Sequence, residues 1–208
     1  MVKFLDDAKY LKYVIFHPFD GFYETKFRGK GNLALASLIL VLYGILGIFS
    51  TQYTGFIFNF YPTYALNSFN LFMASILPVI LFFVSNWSST SLMNGNGRFR
   101  DIYTVTCYSL LPLILFKLIT VLFSNIIIRE EGPILMSFSY LGTLWFCFLI
   151  FCGLCTIHEY SVSKNIVTLL VTLVAAIIII FLCVLYLSLL EKVISFVSTV
   201  ATEISKRW

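Results

Sequence analysis

The chain has 208 residues, 60% of them hydrophobic and only 12% charged, with a mean hydropathy of +0.94 and a net charge of +4. That composition excludes an ordinary soluble domain, and the short alternating segments of a membrane β-barrel are absent. The small positive balance suits an anionic lipid surface and calls for no nucleic acid.

Residues 1–32 are predicted as a cytoplasmic amphipathic segment. Phe4, Ala8, Leu11 and Ile15 fall on one helical face, and Asp6, Lys9 and Tyr13 on the other. Such a helix either lies in the membrane interface with its apolar stripe in the acyl boundary or docks a partner. His17-Pro18 ends it, because the residue before proline is pushed out of the α region. A secretory signal is not expected, since this polar stretch precedes the first apolar run and no small-residue cleavage site follows.

Five apolar runs come next, at 33–51, 70–93, 102–128, 134–157 and 165–190. Each reaches the length of about 20 residues that crosses the hydrocarbon core. Lipid offers no hydrogen-bond partners, so such runs become helices. The expected fold is therefore all-α: a polytopic membrane domain of five transmembrane helices over 33–190, with amphipathic interfacial helices at both ends. Lys and Arg set its orientation. With the amino terminus inside, Lys3, Lys9, Lys12, Lys26, Arg28, Lys30, Arg98, Arg100 and Lys164 are cytoplasmic. Only Arg129, Lys192, Lys206 and Arg207 are then outside, as is the carboxyl terminus.

The first outer loop is uncharged and rich in aromatic residues, among them Tyr53, Phe56, Phe58, Phe60 and Tyr61. Such rings suit the headgroup level, and the same surface can anchor a protein partner. Asn94-Gly95-Asn96-Gly97 is a tight-turn signal joining spans two and three. In the extracytoplasmic tail, 191–208, Val193, Val197, Val200 and Ile204 face one way and Lys192, Ser195, Thr199 and Lys206 the other.

Lys117 is the costly residue, a cation inside span three worth about 2.5–3.5 kcal/mol on insertion scales. None of the five runs contains Asp or Glu. The ammonium therefore snorkels outward, uses carbonyls and hydroxyls in a wet cavity, or meets a carboxylate on another subunit. Pro112 frees a carbonyl near Tyr108 or Ser109 that such an ammonium can use. Asn86 and its hydroxyl neighbours either bond across helices or line a small polar cavity with Tyr108 and Lys117.

All five cysteines lie in spans, and the one CxxC, Cys152-Gly153-Leu154-Cys155, sits too deep to solvate a thiolate, so they are taken as small apolar residues. His158-Glu159 ends span four without a convergent partner, and no hydrolase, phosphate-loop or zinc-protease motif occurs. No catalytic residue, cofactor or metal site is expected.

Two stretches carry a resemblance. His17-Pro18-Phe19-Asp20-Gly21-Phe22-Tyr23-Glu24, continuing to Gly31, resembles the opening of bacterial Yip1-domain membrane proteins. Asn94-Gly95-Asn96-Gly97-Arg98-Phe99-Arg100-Asp101, continuing to Tyr108-Ser109-Leu110-Leu111-Pro112, is similar to that family's second loop and third span. The resemblance implies five spans and a cytoplasmic amino terminus. Eukaryotic relatives act in vesicle traffic through a long acidic-aromatic arm that this chain does not match. Bacterial members often lie beside genes for carbohydrate ABC importers, which implies a non-catalytic accessory subunit in the plasma membrane. Its partners would be permease subunits and a substrate-binding protein. The alternatives are a small channel or transporter, or a membrane-shaping factor.

Overall fold

The computed structural model describes residues 2–59 and 67–207, with side chains described over 9–59 and 67–206. Phe60 and Tyr61 lie outside the described residues, as do the side chains of Phe4, Asp6 and Ala8. Helices α1 (Val2–Phe16), α2 (Pro18–Phe27), α3 (Leu33–Tyr53), α4 (Ser68–Leu92) and α5 (Phe99–Ser124) come first. A 3-10 turn (Arg129–Glu131), α6 (Gly132–His158) and α7 (Val162–Arg207) follow. Among the described residues, five helices are long and apolar enough to cross a membrane, making this a multi-pass membrane protein.

α5 is the central staff of the bundle. It packs most extensively on α6, and also on α3 and α4. Tyr108, Leu110, Val105 and Cys107 of α5 are essentially inaccessible. α7 packs on α4 along its beginning and is otherwise exposed. In lipid the bundle gains little from hiding apolar surface, so close backbone approach must hold it. Glycine supplies that approach at two crossings. A Cβ on Gly44 of α3 would lie 2.6 Å from Phe72 of α4, and one on Gly142 of α6 would lie 2.8 Å from Phe116 of α5.

Helix starts follow local chemistry. Asn32 accepts from the N–H groups of Ala34 and Leu35 at 3.0 and 3.4 Å, capping α3. Asn67 does the same for α4 with Phe69 and Asn70. These caps supply acceptors to donors that the first turn cannot pair internally. α5 ends at Ser124 although the apolar run continues to Ile128, because Asn125 turns the chain and donates to the Tyr53 carbonyl at 2.9 Å.

The two ends of the chain extend the sequence reading. α1 stops at Phe16 as expected, but it folds back with α2 against the end of the bundle where α5 begins and α6 finishes. Val14 and Phe22 are fully buried there, with Leu11 and Ile15 half-buried and Lys9 and Tyr13 exposed. Gly21 permits the fold-back, since a Cβ would lie 2.8 Å from the Val14 backbone. The tail, in turn, is not a separate element. α7 runs 46 residues without a break, about 69 Å at 1.5 Å per residue, because no Gly or Pro interrupts it.

Phe22 fills a notch left by Gly153 of α6, whose Cβ would stand 3.1 Å from the Phe22 ring. Phe22→Ala is therefore expected to destabilise the docked α1–α2 hairpin by about 3–5 kcal/mol. Faster protease cleavage between Lys26 and Lys30 in detergent-solubilised protein would report it, with the exposed Lys12→Ala as the unaffected control.

Candidate functional site

Two polar regions occupy opposite ends of the bundle. At the basic end, the α6 C-terminus, the turn 93–97 and α2 converge. Lys26 donates to the Ile157 carbonyl at 2.7 Å and pairs with Glu159 at 3.2 Å, so an ammonium covers the last carbonyls of α6. His158 is 2% exposed and stacks on Tyr160 with centroids 5.1 Å apart. Its Nδ1 accepts from the Gly97 N–H at 3.2 Å, so the neutral ring carries its proton on Nε2, which has no partner among the described residues. Tyr160 donates to the Met93 carbonyl at 3.2 Å, and Lys164 lies 4.2 Å from the Tyr160 ring centroid.

This contact explains the glycines of the turn. A Cβ on Gly97 would lie 2.6 Å from His158 Cε1, and one on Gly95 would lie 2.6 Å from both His158 Nδ1 and the Tyr160 hydroxyl oxygen. On α2, Glu24 accepts from Lys30 at 2.6 Å and Arg28 at 2.7 Å. The Lys30 hydrogen bond leads in holding its carboxyl below the ordinary carboxylate value, so this clasp persists at neutral pH and loosens as pH falls through the lowered value. Tyr10 donates to the Gly21 carbonyl at 2.6 Å, and burial pushes its hydroxyl up to about 12. The whole basic end is a structural lock; the sequence marks His158 and Glu159 as a polar pair and Lys26 as an orienting charge, but it does not bring Lys26 or Tyr160 to them. The basic run Lys26, Arg28 and Lys30 at the end of α2 was the available signal.

The three intramembrane candidates are placed apart. Asn86 donates to the Thr172 hydroxyl of α7 at 3.1 Å, both side chains buried, while its Oδ1 and the neighbouring Ser85 Oγ have no partner among the described residues. The Tyr108 hydroxyl accepts from the Asn32 N–H at 3.0 Å and so ties the α3 cap to the central helix. Lys117 lies toward the opposite end, half-buried, with Nζ 5.7 Å from the Tyr43 ring centroid. Among the described residues it makes no ion pair; the pairs present are Lys26 with Glu159, and Arg28 and Lys30 with Glu24.

Lys117 borders two cavities. One, of about 550 Å³, is apolar and is walled by Tyr43, Pro78, Phe82, Leu113 and Phe146 among others. The second, of about 330 Å³, opens toward the loop end and is walled by Ser50, Thr51, Thr54, Asn59, Thr120 and Ser139. The aromatic outer loop divides beside it. Phe56 is 95% exposed and Tyr53 is also exposed, whereas Phe58 folds inward against Gly132 and lines the hydroxyl-rich cavity. Among the described residues no group of three or more His, Cys, Asp or Glu side chains is arranged to hold a metal.

Gly97→Ala is expected to destabilise the bundle by about 1–3 kcal/mol through its collision with His158. Adding His158→Ala to Gly97→Ala removes the collision, so thermal unfolding of both singles and the double should show a coupling energy opposite in sign to the Gly97 effect.

A Yip1 domain model matches residues 12–185, from α1 to the middle of α7. No curated protein and no solved structure matches the chain.

Proposed function

Because the chain belongs to the Yip1 domain family, whose members are trafficking and accessory membrane proteins rather than known enzymes, we propose that it is a non-catalytic scaffolding subunit of a membrane complex. The observation that carries this reading is how the buried polar side chains are used. Asn86, Tyr108, Asn165 and His158 each bond another element of the bundle, and none converges with others on a reacting group. Polar contacts of this kind fix helix packing in lipid.

The proposed complex is a carbohydrate ABC importer of the plasma membrane. Support comes from the resemblance of His17–Gly31 and Asn94–Pro112 to bacterial proteins found beside such importers. Residues 33–190 form the membrane domain in this reading, with the amino terminus cytoplasmic and the carboxyl terminus outside. The exposed outer-loop aromatics Tyr53 and Phe56 face a permease subunit or a substrate-binding protein. The exposed apolar residues of α7, such as Ile177, Phe181 and Leu185, meet lipid or permease helices. The Lys117 cavities favour one second reading, a small transporter in its own right.

Affinity capture of the tagged chain in mild detergent is expected to recover permease subunits. Capture of this chain alone, under conditions that keep the importer assembled, overturns the importer assignment. A reporter fused after Trp208 should be active only outside the cytoplasm, and cytoplasmic activity reverses the orientation.

A further inference from the structure

We propose that the Lys117 chamber is a binding site for a single-chain anionic amphiphile, a long acyl chain ending in a carboxylate or phosphate. Two cavities meet at one side chain. Among the described residues, Lys117 is the one residue lining both the apolar cavity of about 550 Å³ and the hydroxyl-rich cavity of about 330 Å³. Its ammonium thus sits where an apolar tube meets a polar mouth. The volumes fall in the range of small-molecule sites, roughly 300–1,000 Å³.

Depth matches a lipid-like guest. Lys117 lies seven residues before the end of α5, about 10 Å from the loop end of the span. Below it, Leu113, Leu110 and Thr106 of the same helix line the apolar cavity, a descent of about 16 Å. The wall along that descent is mostly apolar. A sugar seated there would leave its hydroxyls without partners, at a cost of about 1–3 kcal/mol or more for each. An alkyl chain has no such groups. Ala74 of α4 and Cys147 of α6 lie on the cavity wall and are exposed, so the space opens sideways toward lipid between those helices.

Charge selects the head. The membrane-depth parts of the packed helices carry no Asp or Glu. The nearest acidic residue on the same helix is Asp101, sixteen positions away, or about 24 Å along the axis. The hydroxyls of Ser50, Thr51, Thr54 and Thr120 donate to the carbonyls of Gly47, Gly47, Ser50 and Phe116, and Lys117 brings the cationic donor to the junction. A carboxylate or phosphate oxygen placed there neutralises the ammonium in a low-dielectric setting, where the attraction is strongest. The hydroxyl oxygens of the mouth hold the water that hydrates the rest of the head.

The test uses the full-length chain in phosphatidylcholine nanodiscs, titrated with radiolabelled oleate. Saturable binding of a single oleate per chain is expected. Lys117→Met should weaken it by about tenfold or more, while Lys117→Arg retains it. Octanoate probes the apolar tube and oleyl alcohol the head, and each should compete about tenfold or more less well than unlabelled oleate. Oleoyl lysophosphatidate against oleate separates phosphate from carboxylate as the preferred head. Lys117→Met removes a buried charge, so its melting temperature should not fall, and lost binding is then not lost fold. If it does fall, the octanoate and oleyl alcohol comparisons on the unaltered chain decide alone. Absence of saturable oleate binding, undiminished binding by Lys117→Met, or oleyl alcohol competing as well as oleate overturns the site. Should Lys117→Met instead abolish permease capture while the unaltered chain binds no oleate, Lys117 serves a protein partner and the accessory-subunit reading survives without this site.

Discussion

Inside a bilayer a polar group that finds no partner in the protein finds none at all, and that constraint organises this molecule. Hydroxyls buried in the spans turn back onto their own helices: Thr106 donates to Ile102, Ser109 to Val105, Ser89 to Ser85, and Thr172 to Thr168, all at 2.8 Å. Longer polar side chains reach across instead, as Asn165 does to the Phe151 carbonyl at 3.0 Å. These bonds cost little surface and give the bundle a defined register. Among the described residues, the buried side-chain atoms left without a partner are Ser85 Oγ, Asn86 Oδ1 and His158 Nε2. The first two lie on α4 and the third belongs to the basic-end lock.

The amino-terminal hairpin belongs to the same economy. α1 and α2 close the basic end of the bundle by inserting Val14 and Phe22, and the ammonium of Lys26 covers carbonyls that α6 leaves open. The glycines follow from that closure. Gly21 lets α1 and α2 touch, Gly153 receives Phe22, and Gly95 and Gly97 make room for His158 and Tyr160. The segments that carry the family resemblance are thus largely the parts that lock this end.

Lys117 stands outside this logic. Its neighbours are an aromatic ring, back-bonded hydroxyls and two open cavities, and among the described residues it makes no ion pair. A membrane protein that keeps an ammonium at such depth needs an anion from elsewhere or water from the mouth of the site. The proposed amphiphile site draws on that unbalanced charge, whereas the scaffolding role rests on the polar contacts between helices.

Sequence alone determined the class and the count of spans, because twenty apolar residues in lipid have one stable conformation and the spacing of Leu, Ile and Phe leaves no other reading. It also determined that α1 ends at His17-Pro18 and that Asn94–Gly97 turns, since proline and glycine act locally. The continuity of α7 was legible in the absence of Gly and Pro, but the amphipathic pattern after residue 190 pointed to a separate tail. Only the tertiary structure decided that Tyr108 holds the Asn32 cap, that Asn86 meets Thr172, and that Lys117 lies apart from both. Those residues sit on different helices or different turns. Hydropathy reports how deep a residue lies, whereas neighbours depend on the rotation of each helix about its axis. That rotation is set by close contacts such as Gly44 with Phe72 and Gly142 with Phe116.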